Sequence, residues 1–202
     1  MEQKLHELLP ENHPWRSLIQ VYDTLPSTND LAKTLARQGA PQGTVILAKN
    51  QTQGRGRMGR SFHSPENCGI YMSLILRPNC PASELMHLTC AVAWAMCNAV
   101  EKATGLRPGI KWINDLVCGK EKLGGILTEM SVNTDGFVDW AVVGIGINCC
   151  QTKADFPEEL QSIATSLLLQ TGKHCSPALL AARLTYSSPC QPSSSCCLVI
   201  SP

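Results

Sequence analysis

The chain alternates between two hydrophobic periods. Residues 69–76 (GIYMSLIL) form an apolar run with one serine in it and predict a strand. Residues 44–48 (TVILA) predict a buried strand, and 109–113 (GIKWI) a short one. Residues 125–130 and 138–147 predict two more, and the turn-forming stretch 133–136 between them predicts a hairpin. A helical period takes over in 81–104, where Leu85, Leu88, Val92, Met96 and Val100 share one face and Gly105 is the stop. Ser27-Thr28-Asn29-Asp30 can cap a shorter helix, LAKTLARQ, closed by Gly39. Residues 163–170 and 178–184 predict two further helices. Strands outnumber helices, and several neighbours are joined by short turns. The expected fold is therefore α/β (α+β), a mixed, mostly antiparallel sheet backed by helices rather than a doubly wound parallel one.

Length changes this picture little: 202 residues make one domain with room for an appendage. The pattern ends near Ser187, where SSPCQPSSSCCLVISP shows neither period, so 1–186 is expected to be the folded domain and 187–202 an unstructured tail. No run of eighteen apolar residues is present, so no membrane span and no membrane partner are expected. The start, MEQKLHELLPENHPW, lacks the apolar core of a signal peptide. The eleven cysteines, several of them inside apolar stretches (Cys90, Cys97, Cys149), then point to reduced, buried thiols in a cytoplasmic protein. No pair has zinc-ligand spacing.

The net charge is only +1, which argues against a general polyanion binder. Basic character is local. In GRGRMGR, residues 54–60, Arg55, Arg57 and Arg60 alternate with Gly54, Gly56 and Gly59. Glycines let a backbone turn present successive amides to an anion, and arginine adds a planar fork for carboxylate or phosphate. The string matches the dinucleotide pattern GxGxxG, but RSFHSP follows where that pattern needs a helix, and no carboxylate stands about 20 residues on. The glycines also make the loop costly to order, so an order–disorder element that closes on an anionic ligand is expected.

Three further clusters carry chemistry. Lys111-Trp112-Ile113-Asn114-Asp115 presents a cation, an amide and a carboxylate at a strand edge. Asp115 suits Mg2+ or an amine, Asn114 a phosphate or ribose, and Lys111 a negative charge; a surface turn with a capping aspartate reads the same residues differently. Lys122, before Gly124-Gly125, either points inward at an anion or is a solvated strand end. Gly144-Ile145-Gly146-Ile147-Asn148 ends an apolar strand with two glycines that permit close approach to the backbone.

Taken in order, Ser27-Thr28-Asn29, QTQGRGRMGR, Ser64-Pro65, KWINDL, KLGGIL and GIGIN resemble the catalytic domain of biotin–protein ligases. The resemblance spans residues 27–148 and implies that family's fold, related to class II aminoacyl-tRNA synthetases. It implies a two-step reaction. A biotin carboxylate attacks the α-phosphate of Mg·ATP to give biotinyl-5′-AMP and pyrophosphate, and a lysine of a biotin carboxyl carrier protein then attacks the mixed anhydride. It assigns Ser27, Thr28, Asn29, Gln51, Arg55, Gly56, Arg57 and Lys122 to biotin. Arg57, Arg60, Phe62, Asn114, Lys122 and Asn148 go to ATP or the adenylate, and Arg57, Lys111, Asp115 and Lys122 to catalysis. The roughly 26 residues before Ser27 are too few for the helix-turn-helix of repressor members, so no DNA partner is expected. The family's C-terminal β-barrel is replaced by the serine–cysteine tail, which is expected to impair turnover. A homodimer is compatible with the sequence. A lipoate–protein ligase, a non-catalytic biotin or biotinyl-AMP binder and a nucleic-acid module are the competing readings.

Overall fold

A computed structural model describes Leu5 and residues 7–186; the tail expected over 187–202 lies outside the described residues. Seven strands form one sheet in the order β1-β2-β3-β7-β6-β5-β4. They are β1 (Ile19–Leu25), β2 (Val45–Gln51), β3 (Gly69–Leu76), β4 (Gly109–Lys111), β5 (Asp115–Cys118), β6 (Glu121–Val132) and β7 (Val138–Asn148). β1 and β2 are parallel, and every other neighbouring pair is antiparallel, so the sheet is mixed and mostly antiparallel. The β6–β7 turn closes as a hairpin, with the Gly136 amide donating to the Asn133 carbonyl at 3.1 Å.

The helices are α1 (Thr28–Arg37), α2 (Leu85–Thr104), α3 (Glu158–Gln161), α4 (Leu167–Thr171) and α5 (Pro177–Tyr186). α1 connects β1 to β2 and covers one face of the sheet over β2, β3 and β7. Ser27 is its N-cap, Ala32 and Ala36 its buried stripe. The Arg77 guanidinium closes its other end, donating to the carbonyls of Ala36 (2.7 Å) and Ala40 (3.0 Å), a cation where the helix dipole is negative. α2 and α5 cover the opposite face. Leu85, Leu88, Val92, Met96 and Val100 are all buried there, as their spacing predicts, and Gly105 ends α2 with a left-handed φ of 78°.

Three expectations change. The short strand 109–113 stops at Lys111, and Asp115 opens a further strand, β5, after a turn. The helix expected over 163–170 is shortened to α4 because residues 163–165 lie alongside β6: the Lys122 amide donates to Ile163 O at 2.7 Å and the Thr165 amide to Lys122 O at 2.9 Å. Side chain-free pairing of this kind outcompetes a marginal helix. All eight cysteines among the described residues are free thiols; Cys97, Cys149 and Cys175 are buried, whereas Cys90 is only half-buried. Burial pushes the Cys97, Cys149 and Cys175 thiols up, away from the reactive thiolate. Among the described residues no helix is long and apolar enough to cross a membrane.

Candidate active site

On the α1 face, where α1 begins and β6 and β7 run side by side, the sheet carries a solvent-open cavity whose empty space, the open part included, is about 460 Å³. Two glycines of β7 make its floor. A Cβ on Gly144 would stand 2.2 Å from Asn29 Oδ1, and one on Gly146 would stand 2.7 Å from the Phe62 ring. The close approach expected at GIGIN is thus made by the protein's own Asn29 and Phe62, which the missing side chains admit.

One end of the cavity is neutral and polar. The Thr28 amide and Oγ1 both reach Gln51 Oε1, at 2.9 and 3.1 Å. Gln51 Nε2 donates to Ser64 Oγ at 2.9 Å, which orients the amide. Ser73 Oγ lies 2.8 Å from Thr28 Oγ1 and 2.6 Å from Asn29 Oδ1. Asn29 Nδ2 donates to Leu127 O at 3.2 Å and to Glu129 Oε2 at 2.9 Å. Thr28, Asn29 and Ser73 are buried, so these pairings answer the cost of placing polar groups inside. Leu127 stands beside Gly144 on this face, and Met72, Ile126 and Ile145, which belong to the core behind the sheet, reach the cavity's edge from below.

The other end is charged. Lys122 Nζ and Asn114 Nδ2 both donate to Asp115 Oδ1 at 2.8 Å. β5 and β6 bring these residues together by pairing Asp115 with Gly125. Lys122 therefore points at the cavity rather than away from the strand end.

Residues 54–60 cross the opening. Arg55 bridges Ser61 in antiparallel fashion, Phe62 N donates to Gly54 O at 2.8 Å, and Gly56 N to Arg60 O at 2.7 Å. At the tip Met58 and Gly59 take left-handed φ values of 55° and 74°, and Met58 is 91% exposed. Two amides of the loop, those of Gly56 and Arg60, are thus taken up inside it rather than turned to an anion. Arg57 Nη1 donates to Asn114 Oδ1 at 2.5 Å, and Arg55 Nε to Asp30 Oδ2 at 2.6 Å. Asp30 also meets Lys33 at 3.0 Å, and Lys33 meets Glu129 at 2.7 Å. Burial opposes these charges, but the bonds to Lys33 and Arg55 outweigh it and hold the Asp30 carboxyl below the ordinary carboxylate value. Lys33 is raised in the same way by Glu129 and Asp30.

The cavity gathers most residues singled out in the sequence: Ser27, Thr28, Asn29 and Gln51 at one end, Asn114, Asp115 and Lys122 at the other, with Arg55, Gly56, Arg57 and Phe62 over it. Arg60, Lys111 and Asn148 lie outside its lining. Arg60 and Lys111 are exposed. Asn148 is buried and held at both ends of its amide, donating to Thr165 O at 2.9 Å and accepting from Gln151 at 3.1 Å. Sequence reading missed Ser73, Asp30 and Glu129. A lone hydroxyl inside GIYMSLIL was the available signal for Ser73; for Asp30 and Glu129 there was none, since a first-turn aspartate and a strand glutamate are ordinary surface residues.

Comparison with known proteins agrees with this geometry. Residues 21–148 match the biotin/lipoate A/B protein ligase family. The bifunctional ligase/repressor BirA of Bacillus subtilis is 46% identical over 152 residues, covering 75% of this chain and 46% of that protein. The chain spans about half the length of the curated relatives it matches. The biotin protein ligase of Aquifex aeolicus in complex with biotin and ATP superposes with a TM-score of 0.71 at 31% identity, over 84% of this chain and 67% of that one. The Leishmania major enzyme in complex with biotinyl-5-AMP gives 0.69 at 25% identity, over 84% and 72%. With its sheet order, its cavity and its motif string all in agreement, the chain belongs to the biotin/lipoate A/B protein ligase family.

Proposed function

We propose that the chain activates biotin with ATP to biotinyl-5′-AMP and passes the biotinyl group to a lysine of a biotin carboxyl carrier protein. The observation that carries this reading is the two-ended cavity under an arginine lid. A neutral end of amide and hydroxyl groups suits the ureido head of biotin, and Leu127 with the glycine floor of β7 suits its ring and chain. At the other end Lys122 and Arg57 suit a carboxylate meeting a phosphate. Those two anions repel each other, so cations must bring them together and absorb charge in the transition state. In the first step a carboxylate oxygen bonds to the α-phosphorus and pyrophosphate leaves. In the second a lysine amine attacks the acyl carbon, AMP leaves, and the amine gives up a proton. Asp115, the carboxylate of the cavity lining, is the group we assign to receive that amine. Phe62 offers a flat apolar surface to the adenine.

Mg2+ fits this site as a passenger on ATP. Among the described residues no group of three or more His, Cys, Asp or Glu could hold a metal, and a single carboxylate plus phosphates is the usual Mg2+ setting. When bound, the ion would neutralise phosphate charge. Free thiols throughout the described domain are in keeping with a reducing, cytoplasmic setting.

The test is pyrophosphate release from Mg·ATP with biotin, with lipoate and with neither. Release that needs biotin, and that stops near one equivalent without a carrier protein, is the expected result. Release driven equally by lipoate would move the substrate assignment. No release together with tight biotin binding by calorimetry would leave a binder rather than an enzyme.

A further inference from the structure

The two arginines at the cavity mouth are held by different chemistry. Arg57 donates to a neutral amide, Asn114 Oδ1, on the β5 rim. Arg55 donates to a carboxylate, Asp30 Oδ2, on the α1 rim. A guanidinium on an amide can change partners when a phosphate arrives, because the phosphate bond is charge-assisted and about twice as strong. A guanidinium already on a carboxylate has no such incentive.

The Asp30 bond does not end at the rim. The other carboxylate oxygen, Oδ1, meets Lys33 at 3.0 Å. Lys33 continues to Glu129 Oε1 at 2.7 Å, and Glu129 Oε2 accepts from Asn29 Nδ2 at 2.9 Å. Asn29 Oδ1 faces Ser73 on the cavity floor at 2.6 Å. Lid and floor are thus linked through Arg55, Asp30, Lys33, Glu129 and Asn29, with alternating charges that sum to zero. A ligand anion entering the cavity leaves no member of this chain unpaired.

We propose that Asp30 is a positioning residue that latches the 54–60 loop over the cavity through Arg55, leaving Arg57 to turn from Asn114 to the ligand. The proposal rests on the ligase reading for its ligand, and on geometry alone for the latch. It reassigns Arg55 from biotin contact to holding the lid. The latch adds protein groups to the anion as a source of the ordering contacts that the loop needs. The pair is partly exposed, 54% for the Arg55 side chain and 34% for Asp30, so its strength is that of a modest, salt-sensitive ion pair.

The test compares wild type, Asp30→Asn, Arg55→Gln and the double variant by amide hydrogen exchange without ligand and by release of preformed biotinyl-5′-AMP. Asp30→Asn is expected to speed exchange across 54–60 by about fivefold, with β3 and β7 unchanged. Adenylate release is expected to quicken by a similar factor. The double variant is expected to add nothing to either single one. Raising the salt to about 1 M should speed loop exchange in wild type and not in Asp30→Asn, which serves even if Arg55→Gln folds poorly. Unchanged loop exchange in Asp30→Asn, or single effects that multiply in the double variant, would overturn the latch. A wild-type chain that forms and holds no adenylate would instead sink the ligase reading, while the exchange data still decide the latch.

Discussion

The two faces of one sheet do opposite work. In β3, Ile70, Met72, Leu74 and Leu76 enter the core under α2 and α5, while Ser73 on the other face supports the cavity. In β7, Ala141, Val143, Ile145 and Ile147 enter that core, while Gly144 and Gly146 underlie Asn29 and Phe62. Side chains alternate across a strand, so each strand can contribute bulk to one face and room to the other. Even the cavity face is divided. Ile46, Ile75, Trp140 and Val142 pack on Ala32 and Ala36 of α1 at one end, and small or polar residues hold the other end open. A site of glycine and serine contributes little burial of its own and relies on the apolar layer behind it for rigidity.

This contrast can be broken from either side. The largest effect is expected from Gly144→Val on the cavity face. The new side chain collides with Asn29 and displaces it from Ser73 and Glu129. Biotin-dependent pyrophosphate release should fall by about 10²-fold or more, a cost typical of misplacing a positioning group by an ångström. Thermal melting should show a smaller loss than in the next variant. Ile147→Ala empties a fully buried position on the core face. It is expected to cost about 2–5 kcal/mol in denaturant unfolding, with activity per folded molecule largely kept.

The smallest effect separates the faces by pH. His13 is buried beside Trp15 on the core side, and its Nδ1 accepts from the Trp15 amide at 3.2 Å. Burial lowers its pKa below the ordinary imidazole value, so the unfolded chain binds the proton more readily. Stability from this group is complete above the unfolded value near 6.5 and is lost as pH falls through the folded value. Melting followed from pH 8 to 5 should therefore decline, and His13→Asn, which keeps an acceptor without titrating, should flatten that decline. The protection of 54–60, measured as exchange relative to the intrinsic rate at each pH, should hold over the same range, because the Asp30 carboxyl stays ionised throughout it.

Legibility in the sequence followed how local each signal was. β3 begins and ends where its apolar run does, and α2 ends at the glycine that can turn left-handed. β1 (IQVYDTL) was missed because only Ile19 of it is fully buried, the mark of an edge strand whose pattern is diluted. The half-apolar β5 (DLVC) went unseen because four residues carry too little periodicity. For the site, the motif string marked which segments matter. Whether Lys111 or Lys122 faces the cavity was settled by strand register, which no single segment encodes.

The sequence by itself determined the mixed sheet, its principal helix and the segments of the ligase-like motifs, because these rest on periods, stops and glycines read within a few residues. Tertiary structure alone decided that Ser73 lies under Asn29, that Lys122 meets Asp115, and that Asp30 holds Arg55. Asn29 and Ser73 are 44 positions apart and Asp30 and Arg55 are 25, so they meet only once α1, β3 and the 54–60 loop are brought together. Asp115 and Lys122, only seven positions apart, meet through the register of β5 on β6.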